Sequence, residues 1–242
     1  MLNLLAHRKE FRRLATDPSL LWPAFETGDA GALADFLARI DVAGVPRRVD
    51  FNAARGNYEA RIFDEGILPV RRGSLHDLFN LLAWATFPLS KGCINRIHKD
   101  AMATEVAGNR GARRDFLTLV DEAGVIVLVD DAGSADRLAS KIREIRRGPE
   151  ELYARAMHDA LRALNARLTV FGHALFESLV LRPETLPKVG AFAVIMDSPV
   201  GIDLTAAQMD QRLARFLEAN SPDLHPSMFP SLRLDVVFDA MM

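Results

Sequence analysis

"SLHDLFNLLAWATFPLSKGCINRIHKD", residues 74–100, is apolar at helical spacing on both sides of a break at Phe87-Pro88. Proline removes a backbone donor and pushes its predecessor out of the helical region, so two helices are expected. The first covers 74 to about 86, and the second covers roughly 91 to 106 with Ser90 as its cap. Into this apolar frame the sequence places His76, Asp77, Asn80, Lys91, Asn95 and His98. Burying such groups without partners costs several kcal/mol apiece, so a polar site is expected here. His76, Asn80 and Trp84 fall at i, i+4 and i+8, and Lys91, Asn95 and His98 at i, i+4 and i+7, one helix face each. The short break predicts a helical hairpin in which Asn80 and Asn95 hydrogen-bond across the seam. Ser74 and Asp77 have capping-box spacing, which makes Asp77 a helix-start residue as well as a candidate acid or base.

Outward from this block, "DAGALADFLARID" predicts a short helix capped by Asp29. "NYEARIFDEGILPVRRG" alternates Tyr58, Ala60 and Ile62 with Glu59 and Arg61, which predicts a strand running into a loop. "RRDFLTLVDEAGVIVLVDD" has two apolar runs around Asp121-Glu122-Ala123-Gly124 and predicts a β-hairpin. "SADRLASKIREIRRG" predicts a charged helix ending at Gly148, and another helix starts near Pro149. "ARLTVFG" fits a strand or a helix, "HALFESLV" a helix, "AFAVIM" a strand, and "DLTAAQMDQRLARFLEA" a helix with Thr205 and Gln208 in capping-box spacing. The elements follow no βαβ rhythm. The expected class is α+β, predominantly helical, with a β-hairpin or small antiparallel sheet. One domain over 1–242 is expected, with the charged stretch 131–150 as the candidate seam between two lobes.

Apolar residues make up 49% of the 242 and charged residues 26%, ordinary values for a globular protein. A net charge of -2 argues against a nucleic-acid surface, and no apolar run is long enough for a membrane span. Cys93, the single cysteine, fits a reducing compartment. The opening "MLNLLAHRKEFRRLATD" meets charges too early for a secretory signal, and the expected location is the cytoplasm.

Beyond the central block, His173 and Glu177 stand at i, i+4, a spacing that lets both ligate one ion. Arg114-Asp115 is placed at the start of the expected hairpin, either as an ion pair that caps the sheet or within reach of the same pocket. His7, His158 and His225 have no helical partners and are expected at the surface. The pattern His76-Asp77-x-x-Asn80, Trp84, Phe87-Pro88, Lys91, Asn95 and His98, continued by Arg114-Asp115, "LVDEAG" and "FGHALFE" at 171–177, resembles a bacterial family known as domain of unknown function 3025. The likeness runs from about residue 20 to 218, and the tail "HPSMFPSLRLDVVF" departs from the family's ending. It implies a shared fold and site, and no activity.

Several enzyme classes fit poorly. The His76-Asp77 doublet resembles that of helical HD-type phosphohydrolases, but these need a further upstream histidine that is absent between His7 and His76. No Gly-x-Ser-x-Gly elbow and no phosphate-binding glycine loop occurs. His-Asn-His nucleases start their motif at the end of a strand, whereas His76 opens a helix. Cys93 is expected to be a buried, inert thiol. Two readings stand. The first is a non-catalytic or small-molecule-binding protein with a polar cluster formed by the His76/Asn80, Lys91/His98 and His173/Glu177 blocks. The alternative is a metal-dependent hydrolase. It would use His76, His98, His173 and Glu177 as ligands to a divalent ion such as zinc, and Asp77, Lys91 or Asp115 in catalysis. Asn80, Trp84, Asn95 and Arg114 would line its pocket.

Overall fold

The structure is a computed structural model that describes residues 5, 9–52, 58–104, 111–198 and 201–241. In chain order the main elements begin with α1 (Pro18–Thr27), α2 (Ala30–Ala38), β1 (Arg48–Asp50), α3 (Tyr58–Glu65), β2 (Ile67–Pro69), α4 (Leu75–Thr86) and α5 (Pro88–Thr104). They continue with α6 (Ala112–Ala123), β3 (Gly124–Val129), α7 (Ala132–Ile145), α8 (Tyr153–Ala163), β4 (Arg167–Val170) and α9 (His173–Leu181). The last are β5 (Gly190–Asp197), α10 (Ala206–Asn220), β6 (Ser231–Arg233) and α11 (Leu234–Met241). The fold is α+β and predominantly helical, as the sequence predicts, with sheets of two and four strands. No helix among the described residues is long and apolar enough to cross a membrane. The chain forms two compact units, Met1–Leu117 with Ala206–Leu224, and Thr118–Thr205 with His225–Met242.

In the first unit, α2 starts where expected, with the Asp29 carboxylate accepting from the Ala32 N–H at 3.0 Å. β1 and β2 pair in parallel. Helix α3 connects them, and it replaces the strand expected over Tyr58–Ile62. Five alternating residues are too few to select a period. Here Arg61 bonds Asp50 at 3.0 Å and approaches Glu65, one turn on, at 3.6 Å, contacts that a helix satisfies. Helix α4 runs as predicted from the Ser74 cap, whose hydroxyl accepts from Asp77 N–H at 3.2 Å. Phe87 leaves the helical region at φ −129° and ψ 56°, and Pro88 opens α5.

Ser90 is not the cap of that helix, which begins two residues earlier. Asp210, on α10, does the capping from a distance in sequence: its carboxylate accepts from the Leu89 and Ser90 N–H groups, both at 2.8 Å. The Ser90 hydroxyl donates in turn to the Asp210 carbonyl at 2.9 Å. Pro88 suits the first helical position because its missing N–H would have no intrahelical partner there.

The hairpin expected over 113–131 is not formed. Its first arm is helix α6, in which Phe116, Leu117 and Val120 are buried and Leu119 is 39% exposed, a helical rather than alternating pattern. Only the second arm is a strand: all six residues of β3 are buried. β3 lies inside the four-stranded sheet of order β4-β3-β5-β6, antiparallel to β4 and parallel to β5, with β6 antiparallel to β5 on the far edge. Burial on both faces explains why "GVIVLV" shows no alternation. "ARLTVFG" resolves as strand β4, with Val170 opposite Val125 and Leu168 opposite Val127. The stretch 131–150 contributes α7 to the second unit, capped by Asp131 through the Ser134 N–H at 2.9 Å.

Candidate functional site

In the second unit the segments "LVDEAG" and "FGHALFE" meet through their glycines. The Gly172 N–H donates to the Gly124 carbonyl at 2.8 Å, and the Phe171 N–H shares that acceptor at 3.0 Å. A Cβ on Gly172 would lie 2.4 Å from the Gly124 nitrogen and 2.6 Å from both the Ala123 nitrogen and the Glu122 carbonyl oxygen. A Cβ on Gly124 would lie 2.3 Å from the Val120 carbonyl oxygen. Backbone therefore packs on backbone, an approach that only glycine permits.

The close approach positions the next side chain. His173 opens α9, is 2% exposed, and holds its Nε2 3.5 Å from Glu122 Oε2. That separation is long for a hydrogen bond. It matches the ~3.3–3.4 Å between two ligands that share a tetrahedral ion at ~2.0–2.1 Å bonds. A neutral imidazole ring is the form that binds metal. Glu122 keeps 40% of its side chain exposed, so solvent reaches the carboxylate end of the pair.

The sequence alone does not single out Glu122, because the two apolar runs around 121–124 read as a hairpin turn. A helical period of buried Phe116, Leu117 and Val120 would have set Glu122 in the last turn of a helix instead, directly before Gly124. Glu177 stands one turn along α9 from His173 and is half-buried. Asp115 is in the first turn of α6, not at a hairpin start, and is exposed.

In the first unit the polar residues of α4 and α5 are drawn into specific bonds. Lys91, 3% exposed, donates through Nζ to Asn80 Oδ1 at 2.8 Å and stands 5.4 Å from the centre of the Trp84 ring. Asn80 Nδ2 donates to the Tyr58 hydroxyl at 2.6 Å. Asn95 Nδ2 donates to the Glu59 carbonyl at 3.0 Å and to its carboxylate. The two asparagines thus bond to neighbouring residues of α3 rather than to each other, because α3, expected as a strand, supplies the nearer acceptors.

Asp77 receives Arg71 in a fork, Nε at 2.9 Å and Nη2 at 2.8 Å, together with the Arg71 N–H. His98 is 3% exposed and its Nδ1 accepts from Arg114 Nε at 3.4 Å. His76, the second residue of α4, is half-buried. Cys93 is buried, and burial pushes its thiol up to about 11, which fits an inert group. His225 is exposed, its Nδ1 accepting from the Ser227 N–H, and His158 is half-buried; His7 lies outside the described residues.

No curated protein and no solved structure matches the chain. The family described as Protein of unknown function (DUF3025) matches residues 47–237, which include α3 to α5, the Gly124–Gly172 contact and the His173–Glu122 pair. With most of its length matched, this chain belongs to the DUF3025 family.

Proposed function

We propose that the protein binds a first-row divalent metal, zinc foremost, through His173 Nε2 and Glu122 Oε2. The observation that carries this reading is the 3.5 Å separation of the two atoms, held by the Gly172–Gly124 backbone contact. Each of the two side chains offers an atom of a metal-ligating kind, an imidazole nitrogen and a carboxylate oxygen. One imidazole and one carboxylate suit zinc, and two protein ligands leave coordination positions for water. Glu177, one turn along α9 from His173, is the candidate from the sequence for further ligation within the same unit. The exposed end of Glu122 supports a second step in the reading, a hydrolase in which the bound ion lowers the pKa of a water. In the first unit, Asn80, Lys91 and Tyr58 act as a register-fixing network, since each named polar contact is made within the protein.

Calorimetric titration of the chelator-treated protein with zinc tests the metal. One equivalent should bind, and His173→Ala and Glu122→Ala should each lower the affinity by about tenfold or more. A parallel titration of Glu177→Ala shows whether it adds a ligand. Saturable binding that survives both His173→Ala and Glu122→Ala would remove the proposal. Zinc-dependent turnover of a p-nitrophenyl ester, lost in His173→Ala, is the expected sign of the hydrolase.

A further inference from the structure

The first unit contains a groove of about 680 Å³ between the loop 43–47 and helices α3, α5 and α10. That volume lies within the ~300–1,000 Å³ of small-molecule sites. Six large apolar side chains are strongly exposed among the described residues, and two of them, Phe63 at 49% and Leu89 at 41%, stand on this one wall. Gly92 leaves the adjoining wall open, since a Cβ there would meet nothing within 4 Å.

The charge of the lining is unlike that of the chain. Arg47, Arg96 and Arg215 face a single carboxylate, Glu218, in a protein of net charge -2. Arg47 is committed to loop carbonyls, including Ile40 at 2.7 Å, and Arg96 pairs with Glu218 at 2.6 Å. Arg215 makes no hydrogen bond or ion pair among the described residues. One uncommitted guanidinium fork beside an exposed apolar wall is complementary to one carboxylate carrying a hydrocarbon portion. A phosphate dianion would ask for more cationic donors than the groove has uncommitted.

We propose that this groove binds a small amphipathic carboxylate, with its anionic head on Arg215 and its apolar portion against Phe63 and Leu89. The site is separate from the His173–Glu122 pair and needs no metal. Titration calorimetry of the whole protein with sodium decanoate tests it, with acetate and decanol as the half-ligands and decyl phosphate as the alternative head group. Decanoate should saturate one site, acetate and decanol should bind far more weakly, and decyl phosphate should gain nothing over decanoate. Arg215→Gln should weaken decanoate by about tenfold or more, the scale of a lost charge-assisted bond. Leu89→Ser should weaken it as well, while Arg162→Gln, an exposed site on α8, should not. Because Arg215 and Leu89 are both exposed, neither change threatens the fold. Equal affinity for decanol and decanoate, or undiminished decanoate affinity in Arg215→Gln, overturns the proposal. So does a preference for decyl phosphate.

Discussion

Two glycines give opposite expectations for the same substitution. At Gly172 an added methyl meets three backbone atoms at 2.4–2.6 Å, so β4 and α6 must separate to admit it. Gly172→Ala should destabilise the protein by ~1–3 kcal/mol or more, read by urea denaturation, and should weaken zinc binding by moving His173. Gly92 is interior to α5 with open space around it. Gly92→Ala should stabilise by ~0.4–1 kcal/mol, because the unfolded chain loses freedom and the native state loses nothing. A Gly172→Ala protein as stable as the parent would show that the close approach is relaxed in solution.

Asp210 offers a third residue-scale expectation. Burial raises its carboxyl above the ordinary value, and the Ser90 and Leu89 donors only partly oppose this. The folded state then holds the proton more tightly than the unfolded state. Asp210's contribution is fully present below the unfolded value of ~3.9 and is lost as pH rises through the raised folded value. Asp210→Ala should cost ~1–2 kcal/mol near neutral pH as a lost helix cap. The gap between parent and variant, followed by denaturation from pH 4 upward, should narrow with rising pH. A gap that widens instead would mean that the carboxylate form is the one the site prefers.

Among the elements, α3, α4 and α5 are tied by polar bonds inside an apolar frame. Removing one partner strands the other: Asn80→Ala leaves the Lys91 ammonium and the Tyr58 hydroxyl short of a contact. A loss of ~1–3 kcal/mol is expected for Asn80→Ala and for Lys91→Met, and the double variant should lose less than the sum. Strict additivity in that cycle would mean that the bond contributes nothing. The helical block 74–100 was legible because its apolar spacing and its Phe87-Pro88 break are local signals. The partners of its polar groups were not, because Tyr58 and Glu59 came within reach only once α3 coiled.

At the scale of the whole molecule, the two units are not consecutive pieces of chain. Their boundaries fall at 117/118, inside α6, and again at 205/206 and 224/225. The second unit therefore depends on the end of the sequence. β6 pairs with β5, and α11 buries Leu234, Val236, Val237 and Phe238, the last ring 6.2 Å from Phe176. At ~1.5–3 kcal/mol for each buried side chain, these residues rival the ~5–15 kcal/mol of a typical domain. Deleting 225–242 should abolish cooperative unfolding of the second unit, seen as loss of protected amides in β3 and β5. Retained protection in both strands would show that the sheet stands without its last strand and helix.

What the sequence by itself determined is the set of strongly periodic elements, the predominantly helical α+β class and the family, together with His173 as a candidate ligand. Those rest on local spacing, capping residues and motif, which need no distant partner. Tertiary structure alone decided that 112–123 is a helix, that Asp210 caps α5, and that Glu122 faces His173. Each depends on a contact between residues far apart in the chain, Val120 to Gly124 excepted, and the short windows involved satisfy helix and strand periods almost equally until packing chooses one.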